Sequence, residues 1–357
     1  MVTLIITNKT TSQIVLQDPS GLTPFTARVA GGALVMLTVT QQQADNLAPV
    51  LDQAQAANFL TWSADPANAA SIVFGSGDHG VAVFDGTNTF PFATLLGSVY
   101  TLTTDIFIAD GSRTMPGITV YAAGYKGFCS GQYINDGVIH NNGKNAVGGT
   151  AGAASAIGTT GVGVAGGAGR ANNTGLAGSN QSNTLGDASA AGGAGGAGGV
   201  NAGGAGGTYT PSAINGGGNF LTPTLTGFQF SASAGGNQAT VTIIGGGAGG
   251  GGGGSDNAGV TGGGGGGGGG VLLWHADVLI NNGVIECLGG NGANATGAGG
   301  NGGGGGGAGG GILESLASAR AGSGLYLVTG GLRGLGLGTG INGTQGNNGH
   351  KNLFRFP

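Results

Sequence analysis

Four histidines, fourteen carboxylates and two cysteines are the groups in this 357-residue chain that could carry acid–base, nucleophilic or metal chemistry. None falls into a catalytic spacing. His79, His140, His275 and His350 are scattered, with no HxH or HExxH pair to bring two imidazoles onto one metal, and they read as structural or solvent-facing. No two carboxylates share an acid/base context for glycoside hydrolysis. Cys129 and Cys287 form no CxxC and read as small buried apolar side chains. A phosphate-binding loop needs a lysine after its glycines, and no glycine block here supplies one. The sequons Asn8-Lys9-Thr10 and Asn342-Gly343-Thr344 are idle without a secretory signal, and residues 1–11 lack the basic and apolar regions of one. The expectation is a protein that is not an enzyme and needs no metal or cofactor.

Charge narrows the partners. The formal net charge is −4 with no basic cluster, so a nucleic-acid surface has no electrostatic support. No apolar run approaches 18 residues, which argues against a membrane span. What remains is recognition by contact. Residues 209–230 interrupt a polar glycine background with an aromatic island, and aromatic rings stack on sugars or fill partner grooves at small entropic cost. Tyr209, Phe220, Phe228 and Phe230 are therefore the candidate receptor contacts. The same island also reads as a strand pair plugging a solenoid, or as a subunit contact. Trp274, inside an apolar run, reads as core.

The elements that must position such contacts are unusual, because glycine supplies 89 residues and each costs about 0.5–1 kcal/mol more than alanine to order. Residues 243–311 organise the rest: two long glycine blocks enclose the apolar run Val271 to Ile285. Charged residues are only 7% of the chain, and 39% is hydrophobic, so aliphatic strands alternating with glycine point to packed structure rather than a disordered tail. Ala191, Ala194 and Ala197 are each followed by Gly-Gly. This is the three-residue period of an extended left-handed helix that makes no internal hydrogen bonds and must bond sideways to its neighbours. The fold class expected is mainly β with glycine-rich structure: a small N-terminal β-rich domain with one helix, then β-solenoid or sandwich strands and a bundle of polyglycine-II helices.

Along the chain, residues 1–70 read as an ordinary small domain with strands near 2–7, 13–17, 25–30, 34–40 and 59–63. A helix over 41–56 carries Ala44, Leu47, Leu51 and Ala54 on one face. Residues 71–145 read as a β-rich stalk or solenoid, including one strand over 98–108. Residues 146–236 are Gly/Ala-rich with the aromatic insertion, and 237–357 form a polyglycine-II and β-strand domain in which the stretch after Val328 reads as glycine-rich turns. Ile134-Asn135-Asp136-Gly137-Val138-Ile139 recurs as Ile280-Asn281-Asn282-Gly283-Val284-Ile285. Gly311-Ile312-Leu313 echoes Gly270-Val271-Leu272. Repeated strand and glycine run means stacked units.

The ordered landmarks carry a resemblance. Phe74-Gly75-Ser76-Gly77-Asp78-His79-Gly80, Tyr100-Thr101-Leu102-Thr103-Thr104-Asp105, Gly124-Tyr125, the Ile134 repeat, Gly289-Gly290-Asn291-Gly292 and the closing Asn342-Gly343-Thr344-Gln345-Gly346-Asn347-Asn348-Gly349 resemble glycine-rich structural proteins of tailed bacteriophages over about residues 72–357. The resemblance implies a virion surface component, some of whose relatives are tail-fibre tip adhesins with polyglycine-II helices. It implies anchoring to tail or capsid proteins through the N-terminal domain, contact with a host cell-surface glycan or protein, and a homo-oligomer, by analogy a trimer, made in the bacterial cytoplasm and carried on the virion surface. A capsid decoration or head-fibre protein is the alternative. An ice-binding protein is the remote one, with little threonine to support it.

Overall fold

The computed structural model describes residues 2–10, 12, 14–17, 26–30, 34–39, 47, 51, 54 and 59–65 of a first unit, Met1–Gly75. In the second unit, Ser76–Pro357, it describes residues 77–155, 158, 160, 163–184, 191–211, 220–224, 227–234, 237–241, 246–298 and 300–355. The chain is mainly β, with parallel and mixed sheets.

In the first unit Val2–Asn8 is the middle strand of an antiparallel sheet, between Leu34–Val39 and Leu60–Asp65. Ile14–Gln17 pairs with Thr26–Val29. Leu47, Leu51 and Ala54 have helical backbone, and Leu47 and Leu51 are fully buried with Ile6 and Leu60. The rest of the stretch 41–56, and the turn signals at 18–21 and 31–32, lie outside the described residues. Asn8 is buried, and its Nδ2 donates to Ser12 O (2.8 Å) and Ala30 O (3.2 Å), so the asparagine of the first sequon is internal to the fold.

The second unit is built on parallel rungs stacked in three columns. One column runs Val83–Phe84, Ser112–Thr114, then the later halves of Gly127–Asn135 and Val271–Asn281, then Ala319–Ala321. A second runs Val99–Leu102, Thr119–Tyr121, Val138–His140, Val284–Glu286 and Leu325–Leu327. The third takes Ile106–Ile108, the earlier halves of the two long strands, Ile312–Ala317 and His350–Arg355. Ala93–Leu96 folds back antiparallel on Val99–Leu102 through Gly97, whose φ is +61. Both sequence echoes are stacked in register: Ile134 on Ile280, Val138 on Val284, and Val271 on Ile312.

Strand alternation fills the interior. Phe84, Tyr100, Ile106, Val120, Tyr133, Ile139, Trp274, Leu279, Ile285 and Leu313 form one buried cluster, each such side chain worth about 1.5–3 kcal/mol on removal from water. The turn glycines are required by the stacking: a Cβ on Gly283 would press on Gly137 O, and one on Gly137 on Ile118 O and Met115 O, all within 3.0 Å. The expected strand over 98–108 is broken at its middle. There Asp105 Oδ1 accepts Lys126 N–H (2.9 Å) and turns the chain into the next column.

Glycine tracts leave the rungs directly and keep their neighbours. After Val284–Glu286, the amides of Cys287, Gly289, Gly292 and Ala295 donate to Leu327, Thr329, Leu332 and Leu335, so the pairing period changes from two residues to three. The segment after Val328 is not a set of turns. It runs straight, reverses once near 337–340, and returns alongside itself, Gly343 donating to Gly334 and Gly346 to Gly331. The tracts 246–254, 262–270 and 303–311 are buried throughout.

Candidate binding surface

The four aromatic candidates are divided by the fold. Tyr209 lies in Tyr209–Pro211, paired in parallel with Gln181–Thr184. Phe220 lies in Phe220–Thr224, and Phe228 and Phe230 in Gly227–Ala234, which with Asn237–Val241 make a separate antiparallel sheet. Phe228 is in register with Pro223, Phe230 with Leu221 and Val241, and Phe220 with Ser231. Their side chains lie outside the described residues.

A second surface, not read from the sequence, forms where the glycine tracts reverse. Reversals at 147–150, 171–173, 198–201, 255–259 and 337–340 meet at one end of the unit with Gly297, Ala298 and Asn301, and Asp256 with Asn301 joins three of these segments. Asp256 Oδ1 accepts Asn301 N–H (2.8 Å), its Oδ2 accepts Asn301 Nδ2 (2.9 Å), and Asn301 Oδ1 accepts Thr339 N–H (2.8 Å). Asn201 Nδ2 donates to Ser255 O (2.6 Å), and Asn172 N–H to Asn257 O (3.1 Å). Thr261 bridges to Ala171, and Val260 pairs with Gly297. The turns 147–150 and 198–201 each close by two reciprocal backbone bonds around a left-handed glycine, Gly148 (φ +53) and Gly199 (φ +55). They present Val147 and Val200, 77% and 91% exposed. Asn172 holds φ +48, a conformation asparagine tolerates better than most residues. Tracts 174–180 and 202–208 start from this cluster, so Tyr209 stands at the opposite end of its tract. The signal in the sequence was the break of the first glycine block at Ser255 to Thr261.

Three histidines and both cysteines are engaged in packing or hydrogen bonding. His79 Nδ1 accepts Phe107 N–H (2.9 Å), and its ring lies 4.9 Å from that of Phe92. His140 stacks on Tyr121 (4.9 Å, 14°), whose other partner is the Lys144 ammonium 4.5 Å from the ring centre. Burial, with Lys144 adding to it, lowers the His140 pKa to about 4, and burial lowers that of His275 to about 3, so both are neutral at pH 7. Cys129 and Cys287 are free and buried; burial pushes the Cys129 thiol up to about 11 and raises that of Cys287 further. Among the described residues no group of three or more His, Cys, Asp or Glu could hold a metal ion, and no helix is long and apolar enough to cross a membrane.

Comparison with family models, characterised proteins and solved structures gives no match to this chain.

Proposed function

We propose that this chain is a structural protein of a tailed-phage virion, forming a surface fibre, spike or adhesin. In this reading residues 1–70 anchor it, the stacked rungs form a β-solenoid, and the glycine tracts are polyglycine-II helices that hold a contact surface rigid at their far end. Its action is mechanical and recognitional.

The observation that carries the reading is the hydrogen bonding of the buried tracts. In 246–254, Gly247, Gly250 and Gly253 donate to Gly269, Gly266 and Gly263; Gly249 and Gly252 donate to Ser179 and Leu176; Gly251 and Gly254 donate to Gly193 and Gly196. Successive residues point in three directions, and every third returns to the same neighbour, as a helix with three residues per turn requires. The same tract accepts from 164–170, 204–207 and 303–309. Nine residues of such a helix span about 28 Å. A lattice of this kind is stiff because each backbone group is paired sideways, and chain reversals at its end become fixed platforms for Val147, Val200 and the Asp256–Asn301 turns. Edge strands Leu325–Leu327 and His350–Arg355 have a neighbouring strand on one side only among the described residues, an edge that a second copy would cover, in keeping with a homo-oligomer; a trimer is the expectation by analogy alone.

Two measurements on particles test this. Immunogold labelling should decorate the distal tail appendage, and soluble protein should compete with particles for adsorption to host cells. Label on heads without competition would assign the chain to capsid decoration; absence from purified particles would reject the proposal. Alanine at Tyr209, Phe220 and Phe228 together should abolish competition if the aromatic segment makes the contact. Changes confined to residues 147–150 and 198–201 should do so if the turn cluster does.

A further inference from the structure

A tract at the surface lacks a lateral neighbour, so some of its N–H groups have no backbone acceptor. At many of these places an asparagine from the adjoining tract takes the neighbour's part. Gly143 N–H donates to Leu288 O (2.8 Å) while Leu288 N–H donates back to Asn142 Oδ1 (2.7 Å). Ala146 and Asn291 repeat this arrangement with Asn145 as acceptor (2.8 Å), Gly292 and Leu332 with Asn291 (2.8 Å), Ala295 and Leu335 with Asn294 (2.8 Å), and Gln181 and Thr208 with Asn180 (2.8 Å). Between antiparallel tracts Asn342 Oδ1 accepts Gly336 N–H beside the bond from Gly343 to Gly334. In each case the asparagine immediately precedes the residue whose own N–H bonds the partner tract. The buried tracts 246–254, 262–270 and 303–311 contain no asparagine.

We propose that these asparagines are side-chain surrogates for a missing tract: they lock the register of the outer tracts and close the lattice against further lateral addition. The physical need is specific. In a tract of three-residue period a slip of three residues restores the backbone pairing, and featureless glycine offers no penalty against it. A clamp at Asn291 and Asn294 is lost in part by such a slip. A satisfied N–H is also no longer a template for another chain, the hazard of any open edge. Leu288 shows the contrast: it precedes Gly289, which donates to Thr329 O, but it has no acceptor to offer Thr329 N–H.

Amide exchange on the full chain tests this, with Asn291→Ala/Asn294→Ala compared with Asn291→Asp/Asn294→Asp. The alanine pair should speed exchange at Leu332 and Leu335 at least tenfold, while Gly331 and Gly334, which donate inward to Ala308 and Gly305, keep their protection. The aspartate pair, retaining an acceptor oxygen, should restore protection at both leucines. Unchanged exchange at Leu332 and Leu335 in the alanine pair, or no restoration by aspartate, overturns the proposal. Should the alanine pair fail to fold, Asn294→Ala alone carries the same readouts at Leu335, with Asn294→Asp as its restoring partner.

Discussion

Asn135 and Asn281, 146 positions apart in the chain, are hydrogen-bonded side chain to side chain at 2.8 Å inside the stacked corner of the rungs. Asn135 Nδ2 also lies 3.2 Å from Val284 O, and Asn281 Nδ2 donates in turn to Leu325 O (3.1 Å), so one polar ladder joins three successive rungs. Both residues are buried. Asn135→Ala should therefore cost about 1–3 kcal/mol, because Asn281 Oδ1 loses its donor without access to water. A denaturant titration of Asn135→Ala, Asn281→Ala and the double variant should give a coupling between the two that differs from zero; strict additivity would show that the ladder holds nothing together.

Substitution in the glycine tracts should depend on the position rather than on the residue replaced. A Cβ on Gly266 would meet Gly290 O within 3.0 Å, and the tract is enclosed on every side, so Gly266→Val should destabilise by roughly 3 kcal/mol or more, or prevent folding. Gln345→Val, on an exposed position of an outer tract, should stay within about 0.5 kcal/mol of the parent. Equal melting temperatures for the two variants would contradict the packed lattice.

The buried histidines set a direction for pH. His140 and His275 have folded pKa values of about 4 and about 3, below the ordinary value of about 6.5. Between those limits the unfolded chain binds more protons than the folded one, so stability is fully present above pH 6.5 and is lost as pH falls toward 4. Thermal melts from pH 7.5 to 4 should show a falling midpoint, and His275→Phe should flatten the decline. A midpoint that rises on acidification would exclude this origin.

At the turn cluster Asp256→Ala removes the acceptors of Asn301 N–H and Asn301 Nδ2. Exchange at Asn301 and Thr339 should accelerate while the buried tract amides remain protected, and competition for host adsorption should fall if this end makes the contact. Asp256→Asn keeps an acceptor for the Asn301 backbone and should lose less.

Much of the second unit is legible in its sequence. The repeat at Ile134 and Ile280 stacks in register, because identical spacing around an Asp-Gly or Asn-Gly turn places identical side chains on the same rung. The three-residue spacing of Ala191, Ala194 and Ala197 marked a tract whose glycines approach neighbours. The near-continuous glycine of 246–254, 262–270 and 303–311, broken by Ala248 and Ala308 alone, coincides with complete burial, since a tract with neighbours on every side has little room for side chains. Other features were decided in space. Asn-Gly is a turn at Asn282-Gly283, yet at Asn291-Gly292 and Asn342-Gly343 it lies in a straight tract and clamps the next one. The dipeptide is the same; at Asn282-Gly283 it stacks on the Asp136-Gly137 turn of the neighbouring rung, whereas at Asn291-Gly292 and Asn342-Gly343 the asparagine Oδ1 accepts an N–H of the tract alongside. Tyr209 was separated from Phe220, Phe228 and Phe230, and the turns around Asp256 and Asn301 were brought together, by tract lengths and pairing partners that composition does not encode. Local spacing determined which segments could lie side by side; long-range backbone hydrogen bonding, identical at every glycine, decided which of them did.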